Sequence, residues 1–238
     1  MGGPILNVMR EIVFDTETTG LDPASGDRMV EIGCVEMINR VPSGATFHAY
    51  FNPERDMPAA AEAVHGLSST FLADKPLFAE QADALLQFLG DAPLVAHNAG
   101  FDFGFLNNEL ALVGRPPVDR ARMIDTVAIA RKRHPGAKVS LDALCTRYGI
   151  DRSHRVKHGA LLDAELLAQV YVELTGGRQI GLELAAETCV TEIAVTGIST
   201  VSGPQQPRRE PRAHAASAEE LARHHEFVGR IENPLWSS

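Results

Sequence analysis

The sequence predicts an α/β domain with a mixed five-stranded sheet flanked by helices, followed by a flexible C-terminal tail. Short apolar runs typical of strands come first, and from residue 77 onward such runs alternate with segments of helical periodicity. This pattern ends at Gly176-Gly177, and residues 201–216 are rich in Pro, Arg, Gln, Ala and Ser, as flexible linkers are. We therefore expect a folded domain over residues 1–177, a linker over residues 178–217 and a separate segment over residues 218–238.

The predicted strands are short and apolar. The first, EIVF, runs directly into the turn-forming sequence DTETTG, and a Pro-Ser-Gly connection near residue 43 separates the second strand from the third. The fourth ends at His97-Asn98. The five strands are expected over residues 11–14, 29–37, 46–51, 94–96 and 123–125.

The predicted helices follow from apolar residues spaced three and four positions apart. Pro93 stops the first helix, and Gly114 with Pro116 beyond it ends the second. The helices of the domain are expected over residues 77–89, 101–113, 126–133, 140–148 and 159–174, and a further short helix over residues 218–231.

Composition excludes several classes of protein. The chain has 238 residues, 45% of them hydrophobic, which is enough for a core without disulfides or structural metals. Cys34, Cys145 and Cys189 form no C-x-x-C pair and indicate reduced thiols rather than a disulfide framework or a zinc site. No apolar run is long enough to cross a membrane, and residues 1–10 do not resemble a signal peptide, so we expect a cytoplasmic protein.

Charge is distributed unevenly along the chain. The formal net charge is −9, which argues against a protein that coats nucleic acid. From Arg115 to Lys157, however, there are eleven Lys and Arg against four Asp and Glu, a local charge of +7. A solvated basic surface explains such a run, but the run ends beside His158 and so also fits the border of a site for a polyanion.

Two carboxylates leave the first strand together. Asp15 and Glu17 are two positions apart, and alternate residues of a strand point to the same face. Like charges this close repel each other unless a proton or a metal ion neutralises them. Turn formation explains the following Thr18-Thr19-Gly20, but it does not explain two acids at the end of a strand.

A third carboxylate, Asp163, lies a full turn inside a predicted helix and should point into the core, where acids are rare without a partner. It shares an apolar stripe with Ala160, Leu167, Val170, Tyr171 and Leu174. On a continuous helix His158 would lie about 140° away from Asp163. The two meet only if His158 lies in the loop before the helix, which Gly159 permits.

A fourth acid, Asp102, taken alone is only a favourable residue near a helix N-terminus. Together, however, the four acids and the histidine form a set of hard ligands without cysteine, which suits Mg²⁺ or Mn²⁺. Four carboxylates can hold two such ions about 4 Å apart for in-line phosphoryl displacement. A histidine with a near-neutral pKa can accept the proton of the attacking water.

The motifs FDTETTG, HNAGFD and HGALLDA, in this order, are similar to the three sequence blocks of the DEDDh exonuclease family, and the similarity covers roughly residues 10–175. The resemblance implies an RNase H-like fold, two divalent cations and 3′→5′ hydrolysis with release of nucleoside 5′-monophosphates, as in the proofreading subunits of bacterial replicative DNA polymerases. It assigns catalysis to four metal carboxylates and one general base. These are Asp15, Glu17, Asp102 and Asp163 as metal ligands and His158 as the base.

The resemblance also implies contacts with the single-stranded or mismatched 3′ end of DNA. Val64-His65-Gly66 is similar to a family segment that contacts the terminal nucleotide, although relatives often carry a glutamate where this chain has Ala60, with Glu62 nearby. The predicted substrate-binding residues are Asp15, Thr16, Glu17, His65, Asn98 and Asp163.

Two segments of the tail predict protein partners. Residues 179–184 (QIGLEL) resemble a peptide that binds the sliding clamp, with Gln179, Leu182 and Leu184 as contacts; the alternative is an amphipathic stretch packed on the domain. Trp236 is typical of an interface anchor, and the resemblance implies that residues 218–238 bind the catalytic (alpha) subunit of the polymerase. The alternative is a tail that folds back on its own domain.

Two other functions stay open on the sequence alone. The chain is also compatible with a DEDDh enzyme that acts on RNA or oligonucleotide ends, because the motifs do not reveal how a 2′-OH is received. The third hypothesis is a catalytically silent binding subunit. The presence of all four acids and of the histidine argues against it.

Overall fold

The structure is a computed structural model, and it describes residues 8–153, 157–177 and 217–230. The chain divides into two compact units, Met1–Leu184 and Ala185–Ser238. The first unit contains a five-stranded sheet with helices, and the described part of the second unit is a helix. None of the helices in the described ranges is both long and apolar enough to cross a membrane.

The sheet is mixed, with the order β3-β2-β1-β4-β5. Its strands are β1 (Arg10–Thr18), β2 (Met29–Ile38), β3 (Val41–Tyr50), β4 (Leu94–Ala96) and β5 (Met123–Asp125). Strand β2 is antiparallel to both of its neighbours, β1 and β3, whereas β1, β4 and β5 are mutually parallel. The carboxyl ends of these three parallel strands therefore share one edge of the sheet, which is where α/β proteins usually bind ligands.

The turn between β2 and β3 corrects one prediction. Asn39 and Arg40 form a two-residue turn with φ of 51° and 64°, and Ile38 pairs with Val41 on either side of it. The Pro-Ser-Gly segment, predicted to be a connection, lies inside β3 instead. This is possible because β3 is an edge strand, so Pro42 need not donate a hydrogen bond on the outer side.

The helices are α1 (Ala59–His65), α2 (Ser69–Leu72), α3 (Phe78–Leu89), α4 (Ala99–Leu112), α5 (Thr126–Arg133), α6 (Leu141–Tyr148), α7 (Ala160–Leu174) and α8 (Ala218–Val228). The last six match the predicted helices to within a few residues at each end. The first two were not predicted, because helices of seven and four residues are too short to show a periodic apolar pattern.

Two hydrophobic cores cover the two faces of the sheet. Phe14 of β1 packs in one core with residues of α3 and α4, and Val13 packs in the other with residues of α6 and α7. Successive residues of β1 thus alternate between the cores, as the pleat of a strand requires. The apolar stripe predicted around Asp163 is buried as expected, so this carboxylate points towards the sheet.

Candidate active site

The four predicted acids come together at the carboxyl edge of the parallel strands. Asp15 and Glu17 lie at the end of β1, Asp102 lies in the first turn of α4, and Asp163 lies in the first turn of α7. All four line one cleft of about 550 Å³, and His158 lines it with them. The structure therefore brings together the five residues that the sequence motifs singled out, although the first and the last of them are 148 positions apart in the chain (15 and 163).

Helix α7 reaches the site because β2 contains a glycine opposite the first acid. Gly33 pairs with Asp15 across the sheet. A Cβ placed on Gly33 would lie only 2.2 Å from the amide nitrogen of Leu161, so any side chain there would displace the start of α7. The missing side chain lets α7 lie directly on the sheet, and this close approach positions Asp163 beside the end of β1.

Asp102 reaches the site from the other side of the sheet and is held there by a residue of the first motif. The hydroxyl of Thr16 donates a hydrogen bond of 2.8 Å to Oδ1 of Asp102. Both side chains are buried. Thr16 was predicted to contact the substrate; in the structure its side chain orients one of the acids.

The crowding of these carboxylates changes their ionisation. Burial, and then repulsion by Asp102, Glu17 and Asp163, raises the pKa of Asp15 well above its ordinary value. Burial also raises the pKa of Asp102 to about 7, against the lowering effect of the hydrogen bond from Thr16. Buried and closely spaced carboxylates are stabilised by a cation that neutralises their charge. The four acids therefore suit the binding of a divalent metal ion.

His158 lies in the loop before α7, as the argument from helix geometry requires. Gly159 is extended, with φ of −160°, and α7 begins only at Ala160. The imidazole Nδ1 of His158 lies 3.1 Å from Oδ2 of Asp163, and its side chain is 47% exposed. Ligand atoms of Glu17, His158 and Asp163 lie within 4.8 Å of one another, an arrangement that can hold a metal ion.

Asn98 marks the start of α4 and lies exposed at the cleft with a left-handed backbone, φ 66° and ψ 49°. Asp125 at the end of β5 stabilises this turn. Its Oδ1 accepts hydrogen bonds from the amide of Asn98 (3.1 Å) and from the amide of Val127 in α5 (2.9 Å). This role of Asp125 was not predicted from the sequence, although an aspartate directly before a helix is a common N-cap.

His65 is buried at the end of α1, and it is not among the residues that line the cleft of the acids. Its Nδ1 accepts a hydrogen bond of 3.0 Å from the amide of Leu67. Burial lowers the pKa of His65, while the neighbouring backbone of Thr18 opposes the shift. The side chain of Lys157 lies against Gly66, so the loop before α7 contacts the Val-His-Gly segment.

Several other residues of the cleft were not identified from the sequence. They are His97, Phe101, Val127, Arg131, Val139, Ser140, Leu141 and Asp142. His97 and Phe101 belong to the HNAGFD motif, so the motif itself was a signal for them. Arg131 lies in the basic stretch noted in the sequence, but charge alone did not distinguish it from its neighbours.

The predicted partner-binding residues Gln179, Leu182, Leu184 and Trp236 lie outside the described residues.

Comparison with known proteins identifies the family. The sequence profile of the family described as Exonuclease (RNase_T) matches residues 12–171. The DNA polymerase III subunit epsilon of Rickettsia conorii is 47% identical over 229 residues, which cover 95% of this chain and 98% of that protein. The protein of the same name from Escherichia coli K12 is 42% identical over 225 residues, which cover 91% of each.

A solved structure supports the fold. The nuclease domain of 3′hExo, described as a DEDDh family member and bound to rAMP, superposes with a TM-score of 0.61 at 18% identity, over 71% of this chain and 93% of that one. The predictions of an RNase H-like fold and of an exonuclease are confirmed. Exonucleases of the DEDDh type use divalent metals, in agreement with the cluster of acids. The chain therefore belongs to the exonuclease family, together with the DNA polymerase III epsilon subunits to which it is similar over most of its length.

Proposed function

We propose that the chain is the proofreading 3′→5′ exonuclease of a bacterial replicative DNA polymerase, and that it releases nucleoside 5′-monophosphates from single-stranded or mismatched DNA ends. The observation that carries the proposal is the convergence of four acids and His158 in one open cleft. The similarity to epsilon subunits extends to 95% of the chain, beyond the matched nuclease segment, which favours a replicative role over that of an unattached nuclease.

We assign two Mg²⁺ or Mn²⁺ ions to the four carboxylates Asp15, Glu17, Asp102 and Asp163. The raised pKa values of Asp15 and Asp102 support this assignment, because a bound cation would stabilise the ionised carboxylates, which burial disfavours at both residues and repulsion by the neighbouring acids disfavours further at Asp15. Bound there, the ions would lower the pKa of a water molecule and stabilise the charge that develops on the leaving 3′ oxygen.

We assign the general base to His158. Its half-exposed ring lines the cleft, where it can reach a water molecule and accept the proton that the water loses. Asn98 lines the same cleft and is proposed to bind the terminal nucleotide. His65, beside the end of β1, and the backbone of Thr16 are proposed to complete this nucleotide site.

The decisive experiment is digestion of matched DNA, 3′-mismatched DNA and RNA of the same sequence by the full chain with Mg²⁺, followed by identification of the products. We expect 5′-monophosphates from DNA and faster release from the mismatched end. The Asp15→Ala variant serves as the control for contaminating nucleases and should be folded but inactive. Preferential digestion of RNA would favour the ribonuclease alternative, and an inactive wild-type chain would favour the silent binding subunit.

We further propose that the chain from residue 178 onward attaches the nuclease to the replication machinery of the cytoplasm, near the nucleoid. Residues 178–217 would act as a linker that carries the clamp-binding peptide 179–184. The described helix α8 supports a docking segment over 218–238, because a capping box formed by Ser217 and Glu220 begins it and two large apolar side chains, Leu221 and Phe227, are exposed on it. Attachment would raise the effective concentration of an acidic nuclease at the primer end.

Deletion of residues 203–238 tests the docking segment. We expect the truncated chain to digest single-stranded DNA at the wild-type rate but to lose co-purification with the polymerase alpha subunit. Co-purification of the truncated chain would refute the docking segment. Leu182→Ala combined with Leu184→Ala tests the clamp peptide separately, since this double variant should retain the alpha subunit and lose the sliding clamp.

A further inference from the structure

Arg131 lines the cleft but has no role in the proposed chemistry. It lies on α5 four residues after Val127, and both side chains line the cleft of the acids. Residues four apart share one face of a helix, so α5 presents this face to the cleft. Because α5 begins at the carboxyl end of β5, Arg131 lies about 8 Å along the helix from the edge of the sheet where the acids meet.

The charge of Arg131 is available to a ligand. It is the single Lys or Arg among the described residues that line the cleft, which also contains five Asp and Glu. Its side chain is exposed, and within the described ranges it makes no hydrogen bond and no ion pair, so its guanidinium lies beyond ion-pair distance from those carboxylates.

Other arginines of the same basic stretch bind groups of the protein itself. Arg122 donates to the carbonyl of Ala92 at 2.9 Å, and Arg133 donates to the carbonyl of Leu174 at 2.8 Å. Arg152 forms an ion pair of 2.9 Å with Asp142. These contacts give those three side chains structural roles, and among the described residues of the stretch Arg131 is the one arginine that lines the cleft.

We propose that Arg131 binds the phosphodiester one nucleotide upstream of the scissile bond, and so positions the DNA strand along α5. This inference rests on the proposed nuclease function. The scissile phosphate belongs beside the acids, whereas the next phosphate of a strand that leaves the cleft along α5 needs a separate cation. The planar guanidinium suits this purpose because it binds two phosphate oxygens at once.

Two substrates separate this role from catalysis. An oligothymidylate contains the upstream phosphate, whereas the p-nitrophenyl ester of thymidine 5′-monophosphate contains only the phosphodiester that is cleaved. We expect Arg131→Met to raise KM for the oligothymidylate about tenfold, the effect of one lost charged hydrogen bond. The same variant should leave kcat and KM for the ester unchanged, and Arg131→Lys should recover part of the affinity.

Lys132→Met is the matched control. Lys132 is the next residue of α5, is also exposed and does not line the cleft, so its loss removes the same charge from a different face. In a titration of oligothymidylate binding with salt, Arg131→Met should reduce the slope of log K against log salt by about 0.7, while Lys132→Met should leave it unchanged.

Four results would overturn the assignment. An unchanged KM for the oligothymidylate in Arg131→Met would show that Arg131 does not contact the strand. Equal effects of Arg131→Met and Lys132→Met would show that the strand responds to the overall charge of the protein and not to a specific contact. A loss of ester hydrolysis in Arg131→Met would show that Arg131 acts on the scissile phosphate and not on the upstream one. If the wild-type chain cleaves neither substrate, the proposed function itself fails, and the assignment fails with it.

Discussion

The amide nitrogen of Leu161 lies where a side chain on Gly33 would have to be, since a Cβ on Gly33 would approach it to 2.2 Å. Gly33 is also the residue that pairs with Asp15 across the sheet. One glycine thus determines how closely α7 approaches β1, and with it the distance between the acids of the first and third motifs.

Gly33→Ala should therefore damage the site more than the fold. A methyl group against the backbone of α7 should cost about 1–3 kcal/mol of unfolding free energy. It should also displace Asp163 enough to abolish most nuclease activity and metal binding. Gly104→Ala in α4 is the control, since the nearest atom to its new Cβ would be 4.0 Å away. A Gly33→Ala enzyme with wild-type kcat would show that the close approach is dispensable.

Removal of the Thr16 hydroxyl tests the positioning of Asp102. The hydrogen bond of 2.8 Å from Thr16 lowers the pKa of Asp102, and Thr16→Val deletes this bond. In the metal-free protein Asp102 should then be protonated to a higher pH and bind the metal less readily, so at a limiting Mg²⁺ concentration the rate at neutral pH should fall about tenfold and the pH profile should move to higher pH. Thr16→Ser retains the hydroxyl and should restore the wild-type profile. A uniform loss of activity at every pH would indicate a structural role alone.

His158→Ala separates the proposed base from a metal ligand. If His158 accepts the proton, the variant should lose about 10²–10⁴ in kcat and still bind Mn²⁺ with wild-type affinity, as measured by calorimetry. His134→Ala, which removes a histidine bonded to Tyr148 away from the cleft, is the control. A collapse of Mn²⁺ affinity would instead assign His158 to the ligand set formed with Glu17 and Asp163.

Stability of the metal-free protein should depend on pH through the crowded acids. The pKa of Asp102 is about 7 in the folded chain and about 4 in the unfolded chain, so the folded chain holds this proton more tightly. The contribution of Asp102 to stability is therefore present below pH 4 and lost as the pH rises towards 7. Asp15, whose pKa is also raised, acts in the same direction.

The measurement is the difference in Tm between the wild-type chain and Asp102→Asn, at pH 5 and at pH 7.5, in chelator. Burial lowers the pKa of His65 and His97, so the contribution of these histidines to stability increases with pH. This contribution is the same in both proteins and cancels in the difference in Tm. Asp102→Asn should gain stability relative to the wild type as pH rises. Mg²⁺ should raise the wild-type Tm more at pH 7.5 than at pH 5. A difference independent of pH would contradict the raised pKa of Asp102.

Much of the site could be predicted because its residues occur in local patterns. The alternation of β1 placed Asp15 and Glu17 on one face, and the apolar stripe of α7 turned Asp163 towards the core. Gly33 was also open to prediction, because a glycine inside an apolar strand often marks a close backbone approach. The hairpin at Asn39-Arg40 was missed because the Pro-Ser-Gly sequence is a stronger local turn signal than the one the chain uses.

By itself the sequence determined most of the strands, the longer helices, the identity of the acids and the family, because periodicity and short motifs are properties of neighbouring residues. Only the tertiary structure decided which distant groups meet. The hydroxyl of Thr16 reaches Asp102 across 86 positions, and the guanidinium of Arg131 lines a cleft that its charged neighbour Lys132 does not. Such contacts depend on how helices pack on the two faces of the sheet, and the rotation of a single helix by one residue, about 100°, would exchange them.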